Sequence, residues 1–344
     1  MKKYYKDKKI LITGHTGFKG SWLALTLKLF GNKIYGISED KRKSGFYKVI
    51  QNKKIFSKEF IGDISDEKFL KNSFKNLKID MVFHFAAQGL VSEANLNPIK
   101  TIYTNIIGTY NVLNICNSNK HISLLVIATT DKVYENHNFN NTEESKLGGK
   151  EFYSASKASS EHIIQAFINT KKRDDLFIGI VRAGNVLGGG DYAKDRILTD
   201  ILESINKGKD IILRNPNSIR PWQYILDSIN GYLLVGHYCF KNKTNSIFNL
   251  NSKLNNKNNV HFFVKLLVEA FNLEKKIKVS KKKSFYESDI LKIDSKKANH
   301  LLNWTAKCNM KTICTNIMNY EQSQNKYEFS VSHIKEFFEV NTSK

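Results

Sequence analysis

What the chain lacks narrows it first. No run of about 18 apolar residues exists, so no membrane-spanning helix is expected. The basic N-terminus carries only a three-residue apolar stretch, Ile10-Leu11-Ile12, that runs straight into glycines, so no secretory signal is expected. The four cysteines, Cys116, Cys239, Cys308 and Cys314, are scattered, with no CxxC pair and no histidine grouping of zinc spacing. No metal site is expected, and a reducing cytoplasm is the expected setting. No repeat period and no Pro/Gly/Ser-rich linker divides the 344 residues, which are enough for one large domain or a large and a small one.

Acids are also in short supply: 32 Asp and Glu face 54 Lys and Arg, a net charge of +22. That excess invites a nucleic-acid reading. The lysines, however, run along the whole length among abundant asparagines, and no nucleic-acid motif accompanies them. The densest cluster, Lys281-Lys282-Lys283, reads as a solvated face near a turn. No nucleic-acid partner is expected; a positive field of this kind attracts small anionic ligands instead. Arginine is the scarcest charged residue, at Arg42, Arg173, Arg182, Arg196, Arg214 and Arg220. Where lysine is the default cation, an arginine marks either chance retention or a place that needs a planar, two-pronged donor for phosphate or carboxylate.

What is present begins with Lys8–Gly31. An apolar strand is followed by Gly14, Gly17 and Gly20 at three-residue steps, then by an apolar segment of helical length, Trp22 to Phe30, that stops at Gly31. Strand, glycine turn and helix form a device for a dinucleotide pyrophosphate, because glycine lets the backbone approach closely and the helix N-terminus offers free N–H groups. Gly14, Thr16, Gly17, Phe18, Lys19 and Gly20 are the candidate cofactor residues here, Lys19 adding a cation. Further strands are expected at Lys33–Ile37, Phe60–Ile64, Met81–Phe85, Leu124–Ala128 and Phe177–Val181. Helices are expected from Ser65, as cap, to about Leu77, at Thr101–Cys116 and at Phe152–Phe167. This alternation implies a doubly wound parallel α/β sheet of Rossmann type. A smaller C-terminal α/β part should follow, with a strand at Lys276–Val279 and helices near Val260–Phe271, Ser295–Leu302 and Lys311–Gln322. The expected division gives residues 1–186, with about 222–248, to cofactor binding, and 187–221 with 249–344 to substrate binding.

Ser38-Glu39-Asp40 closes the second strand, where an acid usually holds the adenosine ribose. The acid comes late and Lys41-Arg42-Lys43 follow, a feature that would suit a 2′-phosphate; NAD remains the expected cofactor over NADP. Asp63-Ile64 is placed for an adenine contact. Ala86 and Ala87, small residues after a buried strand, let a cofactor lie close, and His84 reads as a packed structural histidine. Tyr153 and Lys157, i and i+4 on one helix face, are suited to proton abstraction from an alcohol, with a neighbouring ammonium and a nicotinamide cation stabilising the phenolate.

Gly14-His15-Thr16-Gly17-Phe18-Lys19-Gly20-Ser21-Trp22 with Tyr153-xxx-Lys157 resembles the extended short-chain dehydrogenase/reductase family over most of the chain. Finer motifs resemble its CDP-glucose 4,6-dehydratase branch: His84-Phe85-Ala86-Ala87-Gln88, Asp131-Lys132-Val133-Tyr134-Glu135-Asn136, Arg182-Ala183-Gly184-Asn185-Val186, Gly188-Gly189-Gly190-Asp191, Asp195-Arg196, Arg220-Pro221-Trp222-Gln223 and Leu291-Lys292-Ile293-Asp294. The resemblance implies oxidation at C4 of a nucleotide sugar with Tyr153 as base, loss of water across C5 and C6, and return of the hydride to C6 from an NAD that ends as it began.

It also implies an acid and a base beyond Tyr153. Most such dehydratases carry Thr-Asp-Glu after the fifth strand; here the row is Thr130-Asp131-Lys132, as in the CDP-glucose branch. Asp131 would be the acid, held protonated by burial, and Lys132 the neutral base; alternatively Lys132 only orients Asp131. The resemblance extends the cofactor set to Ser38, Gln88 and Thr104. It puts Gln88, Asn105, Asn185, Arg196 and Arg220 on the substrate, the two arginines at its diphosphate. Trp222 either lines the pocket or fills the core. Ile197-Leu198-Thr199-Asp200 departs from the branch, which has proline before the aspartate. A homodimer or homotetramer is implied, formed through the helices at 101–116 and 152–167. The alternatives are a dehydratase or 4-epimerase for another nucleotide sugar, and a non-catalytic dinucleotide sensor.

Overall fold

A computed structural model describes residues 2–42, 44–136, 139–252, 259–274, 276–280 and 290–339. The Lys281-Lys282-Lys283 cluster and Lys43 lie outside the described residues.

In chain order the strands are β1 (Lys9–Thr13), β2 (Lys33–Ser38), β3 (Phe56–Ile61), β4 (Met81–His84), β5 (Leu124–Ala128), β6 (Phe177–Ala183), β7 (Val186–Leu187), β8 (Ile211–Leu213), β9 (Gln223–Tyr224), β10 (Ser246–Leu250) and β11 (Ile277–Val279). Seven form one sheet in the order β10-β6-β5-β4-β1-β2-β3, every pair parallel. The chain runs outward from β1 to β3, then crosses back to β4 and continues the other way. The loops after β1 and β4 therefore diverge, and a crevice opens at the strand C-termini.

Both faces are covered, which is why the central strands read as unbroken apolar runs. Ile10 and Ile12 of β1 face one core with Trp22, Leu25, Ile229 and Leu233; Leu11 between them faces the other with Leu70, Val112 and Ile164. The first core continues without a break through Trp222, Phe263, Trp304 and Tyr320, so the C-terminal elements pack on the sheet's own hydrophobic layer. Two small parallel pairs, β7–β9 and β8–β11, extend that side.

Three local expectations are corrected. The third strand is Phe56–Ile61, four residues earlier than Phe60–Ile64, because it lies at the sheet edge and Ser57-Lys58-Glu59 interrupt any apolar run. Asp66, not Ser65, caps the next helix, Glu67–Phe74, accepting from the Phe69 N–H (3.0 Å). The helix expected at Thr101–Cys116 is three joined pieces: Pro98–Ile102, a wider π turn at Tyr103–Ile107, and Gly108–Ser118.

Candidate active site

The crevice is a continuous cleft of two lobes, each of about 490 Å³, that share Gly89, Leu90, Lys132, Asn185, Val186, Asp191 and Arg196. The first lobe is built on the glycine turn. Gly14 sits at φ +74°, and a Cβ there would lie 2.6 Å from the Ala86 nitrogen. A Cβ on Gly20 would lie 2.2 Å from the Gly14 carbonyl oxygen, so only glycine lets the helix Phe18–Leu29 start this close to β1. The result is a cradle a Cβ would fill, open at a helix N-terminus, which fits a diphosphate. Gly14, Thr16, Gly17, Phe18, Lys19, Gly20 and Ala87 line it.

Other cofactor candidates brace the cradle from behind. The Ser38 hydroxyl accepts from the Thr16 N–H (3.2 Å) and bonds His15 Nδ1 (3.0 Å). The Ala86 N–H donates to the Thr13 hydroxyl (3.2 Å). Asp63 accepts from the Ser65 N–H (2.8 Å), and Ile64 is buried. Ser38, Asp63, Ile64, Ala86, Gln88, Thr104 and Asn105 are not among the described residues lining either lobe. Of the late acids, Glu39 pairs with Lys100 (2.6 Å) and Asp40 with Arg42 (3.4 Å), while Arg42 itself reaches the lobe's rim.

At the floor stand the chemical groups. Glu151 caps the helix Phe152–Thr170, accepting from the Tyr153 and Ser154 N–H groups (2.7 and 2.8 Å), which fixes Tyr153 in the first turn. Burial pushes the Tyr153 phenol above its ordinary value, while a hydrogen bond with Thr130 and the charge of Arg196 pull it down. Lys157 donates to the Ala128 carbonyl (2.9 Å), and burial brings its ammonium down to about 8, against the raising effect of Glu161. Lys19 also falls to about 8 through burial and the nearby Arg196, with Asp131, Lys157 and Asp191 as further charged neighbours.

Thr130 donates to Asp131 Oδ1 (3.0 Å) and accepts from the Lys132 N–H (3.3 Å), making a tight turn after β5. Asp131 is buried, and the Lys132 ammonium stands 6.0 Å from the Tyr153 ring centre. His84 is the structural histidine expected. Its ring joins the Thr13 and Thr109 hydroxyls (2.6 and 3.1 Å), and burial lowers it to about 3. Asn105 acts behind the wall: its side chain accepts from the Gln88 N–H (2.9 Å) and donates to the Gln88 carbonyl (3.0 Å) and Ser156 (2.8 Å). The Gln88 side chain folds onto Leu90 and Thr101.

The second lobe is lined by polar and apolar side chains together. Asn185, Arg196, Arg214, Arg220 and Lys209 line it with Leu198, Leu213 and Trp222. Arg196 is exposed and donates to the Gly89 carbonyl (3.4 Å); Arg220 is buried. Trp222 both lines the lobe and packs against Phe263 (centroids 5.1 Å), so the two readings of it merge. Thr199, where the branch has proline, donates to the Asp191 and Ala193 carbonyls (3.1 and 2.9 Å), bonds a proline cannot make.

The family model described as GDP-mannose 4,6 dehydratase matches residues 11–317. The chain belongs to this family. The CDP-glucose 4,6-dehydratase of Salmonella typhimurium is 34% identical over 314 residues, spanning 88% of this chain and 87% of that one. Among solved structures, the UDP-glucose 4-epimerase of Thermotoga maritima with UDP-glucose superposes with a TM-score of 0.78 at 22% identity, covering 91% of this chain and 98% of that one. The dTDP-glucose 4,6-dehydratase of Bacillus anthracis in complex with NAD gives 0.77 at 23%, covering 92% and 97%. These two share the fold.

In this member of the GDP-mannose 4,6 dehydratase family, several groups escape sequence reasoning. Asp191, buried where the lobes meet, follows the glycine run; the Gly188-Gly189-Gly190-Asp191 motif was the available signal. His15 reaches Glu59 (2.9 Å), 44 residues away on an edge strand, and nothing local announces that pair. Arg173 and Arg182 do not line the cleft. Arg173 closes a helix end on the Cys116, Asn119 and Ile122 carbonyls (3.0, 2.8 and 2.9 Å), and Arg182 is buried on Glu161.

Proposed function

We propose that this chain is an NAD-dependent CDP-glucose 4,6-dehydratase, a hydro-lyase that converts CDP-glucose to CDP-4-keto-6-deoxyglucose. One observation carries the reading: a single cleft joins the glycine cradle, the Tyr153–Lys157 face and the Thr130-Asp131-Lys132 turn to an arginine-lined second lobe. The relationship to the Salmonella typhimurium enzyme supports the choice of CDP-glucose.

NAD bound in the cradle supplies the acceptor for the C4 hydrogen and its return to C6. Tyr153, bonded to Thr130, takes the proton of the 4-hydroxyl, and a cation near the phenol favours its ionised form. Lys157 serves the cofactor's side of that pair. The 4-ketone acidifies the C5 proton; Lys132 removes it while Asp131 protonates the departing 6-hydroxyl. As hydride returns to C6, the Lys132 proton goes back to C5 and the proton held by Tyr153 restores Asp131, so water is the only other product. Arg196 and Arg220, with Asn185, hold the substrate diphosphate, a fit for planar two-pronged donors. Ser38, Asp63, Ile64, Ala86, Gln88, Thr104 and Asn105 complete the binding set, chiefly by holding the walls. Residues 1–186 with about 222–248 serve the cofactor, and 187–221 with 249–344 the substrate. A cytoplasmic setting is inferred, which the four free thiols support. Self-association as a dimer or tetramer is inferred through the helices beside the site.

Purified protein with NAD is expected to give the alkali-induced absorbance of a 4-keto sugar from CDP-glucose, and not from UDP-, dTDP- or GDP-glucose. Tyr153→Phe should lose about 10²–10⁴-fold in kcat. Lys132→Ala that oxidises C4 but does not eliminate would support the base role; retained elimination would leave Lys132 only orienting Asp131. Product from another sugar alone would discard the CDP choice. No product from any of them, with NAD bound, would overturn the dehydratase reading.

A further inference from the structure

Behind the reacting groups lies a buried ion pair that the mechanism above does not use. Arg182 of β6 and Glu161, one turn beyond Lys157, are 2% and 0% exposed. The Arg182 Nε donates to both Glu161 oxygens (3.0 and 2.9 Å), and its NH2 reaches Oε2 (2.5 Å). Its NH1 donates to the Tyr134 hydroxyl (2.8 Å) and the Glu143 carbonyl (2.9 Å). Glu161 is not saturated by the arginine: its Oε1 also accepts from the Thr129 hydroxyl (2.6 Å). Thr129 immediately precedes Thr130-Asp131-Lys132. On the far side, the Tyr134 hydroxyl donates to Asn249 Oδ1 (2.6 Å), and the Asn249 amide donates to the Asn141 carbonyl (3.0 Å).

A carboxylate that is taken wholly out of water must be matched, and a fork-on-fork arginine matches it well. Matching alone does not require the carboxylate to stand one turn from Lys157 and on the hydroxyl that leads the reacting turn. We propose that Glu161 and Arg182 form a positioning pair for the reaction, in which Glu161 ties the Thr129–Lys132 turn to the Tyr153–Lys157 helix and supplies the counter-charge that Lys157 faces. This inference rests on the dehydratase reading for its kinetic consequence, but not for its electrostatic one.

Burial makes the counter-charge necessary, in a cleft shared with several other titratable groups. Lys19 faces Lys157 from the helix after the glycine turn, and His84 from β4. Asp131 and Lys132, from the turn after β5, share its cleft with Arg196 and with Tyr153 of its own helix. Burial acts to strip the Lys157 proton, and Glu161 is the charge that opposes it.

The test is the double substitution Glu161→Gln with Arg182→Gln, which removes both buried charges together and so spares the fold an unmatched one. Lysine labelled with ¹³C at Cε, assigned through Lys157→Arg, reports the Lys157 titration without any turnover. The midpoint, near 8 in the native protein, is expected to fall by about one pH unit in the double variant. With CDP-glucose, kcat at pH 8 should drop about fivefold while KM changes less than twofold, and the alkaline limb of the kcat profile should move down by the same unit. Glu161→Asp with Arg182 intact should return part of the shift. An unmoved midpoint and an unmoved alkaline limb in a folded double variant would overturn the proposal. Absence of turnover in the native protein would overturn the dehydratase reading instead, and the lysine titration would still decide the counter-charge.

Discussion

His84 shows how one side chain can carry a pH dependence that has nothing to do with catalysis. Thr109 donates to the Asn105 carbonyl (2.7 Å), so toward His84 Nε2 it accepts; the neutral ring then has no proton on Nδ1, which accepts from the Thr13 hydroxyl. This network assigns the neutral ring with its proton on Nε2. Burial lowers the folded value from 6.5 to about 3. The sign follows from linkage: below 6.5 the unfolded chain takes up a proton that the folded chain refuses, so stability present above that pH is lost as pH falls toward 3. Between pH 7 and pH 5 the loss from this residue is about 2 kcal/mol, at about 1.4 kcal/mol per pH unit over most of the interval. Urea unfolding at the two pH values, with His84→Gln alongside, checks it. The variant should lose less on acidification, and an equal loss in both proteins would sink the assignment.

At the scale of elements, the glycine turn makes the sharpest demand on sequence. Gly20→Ala puts a methyl group 2.2 Å from a backbone oxygen, where no side chain can yield. The helix must slide or the turn must open. The expected cost is about 1–3 kcal/mol of stability, together with at least tenfold weaker NAD binding, since the cradle is what moves. Titration of NAD against the variant, beside its thermal melt, measures both; affinity within twofold of native would show that the turn does not hold the cofactor. This element was legible in the sequence because strand, glycines and helix are consecutive. Leu124–Ala128 was legible too, because a strand buried on both faces is apolar throughout. The edge strand Phe56–Ile61 was displaced in the sequence reading because Ser57, Lys58 and Glu59 leave it without such a run. The two-residue strands Val186–Leu187 and Gln223–Tyr224 carry no periodicity at all. Tyr153 and Lys157 announced themselves by spacing, whereas Glu161–Arg182 and His15–Glu59 exist only once elements distant in sequence are brought together.

For the molecule as a whole, the unsatisfied surface is apolar rather than charged. The positive field of a chain with net charge +22 is spread over its length, but the large exposed apolar side chains concentrate on one run of helices. Leu96, Ile99, Tyr103, Ile107 and Tyr110, at steps of three and four, are 71, 66, 56, 40 and 48% exposed, and Phe152 at the head of the neighbouring helix is 48% exposed. A stripe of this kind on a water-soluble surface is an interaction face. A second copy of the chain is the occupant expected, because the same run of helices presents one stripe that two copies can pair about a two-fold axis. The native protein should then scatter light with at least twice the 39.5 kDa chain mass. Ile99→Asp with Ile107→Asp should bring it to the single-chain mass. The run that carries the stripe also carries Asn105, whose bonds to Gln88 and Ser156 hold the cleft wall. Separation should therefore lower activity as well as mass, through that wall rather than through any reacting group. A native protein that remains at 39.5 kDa at every concentration would refute the pairing and leave the stripe to a different partner.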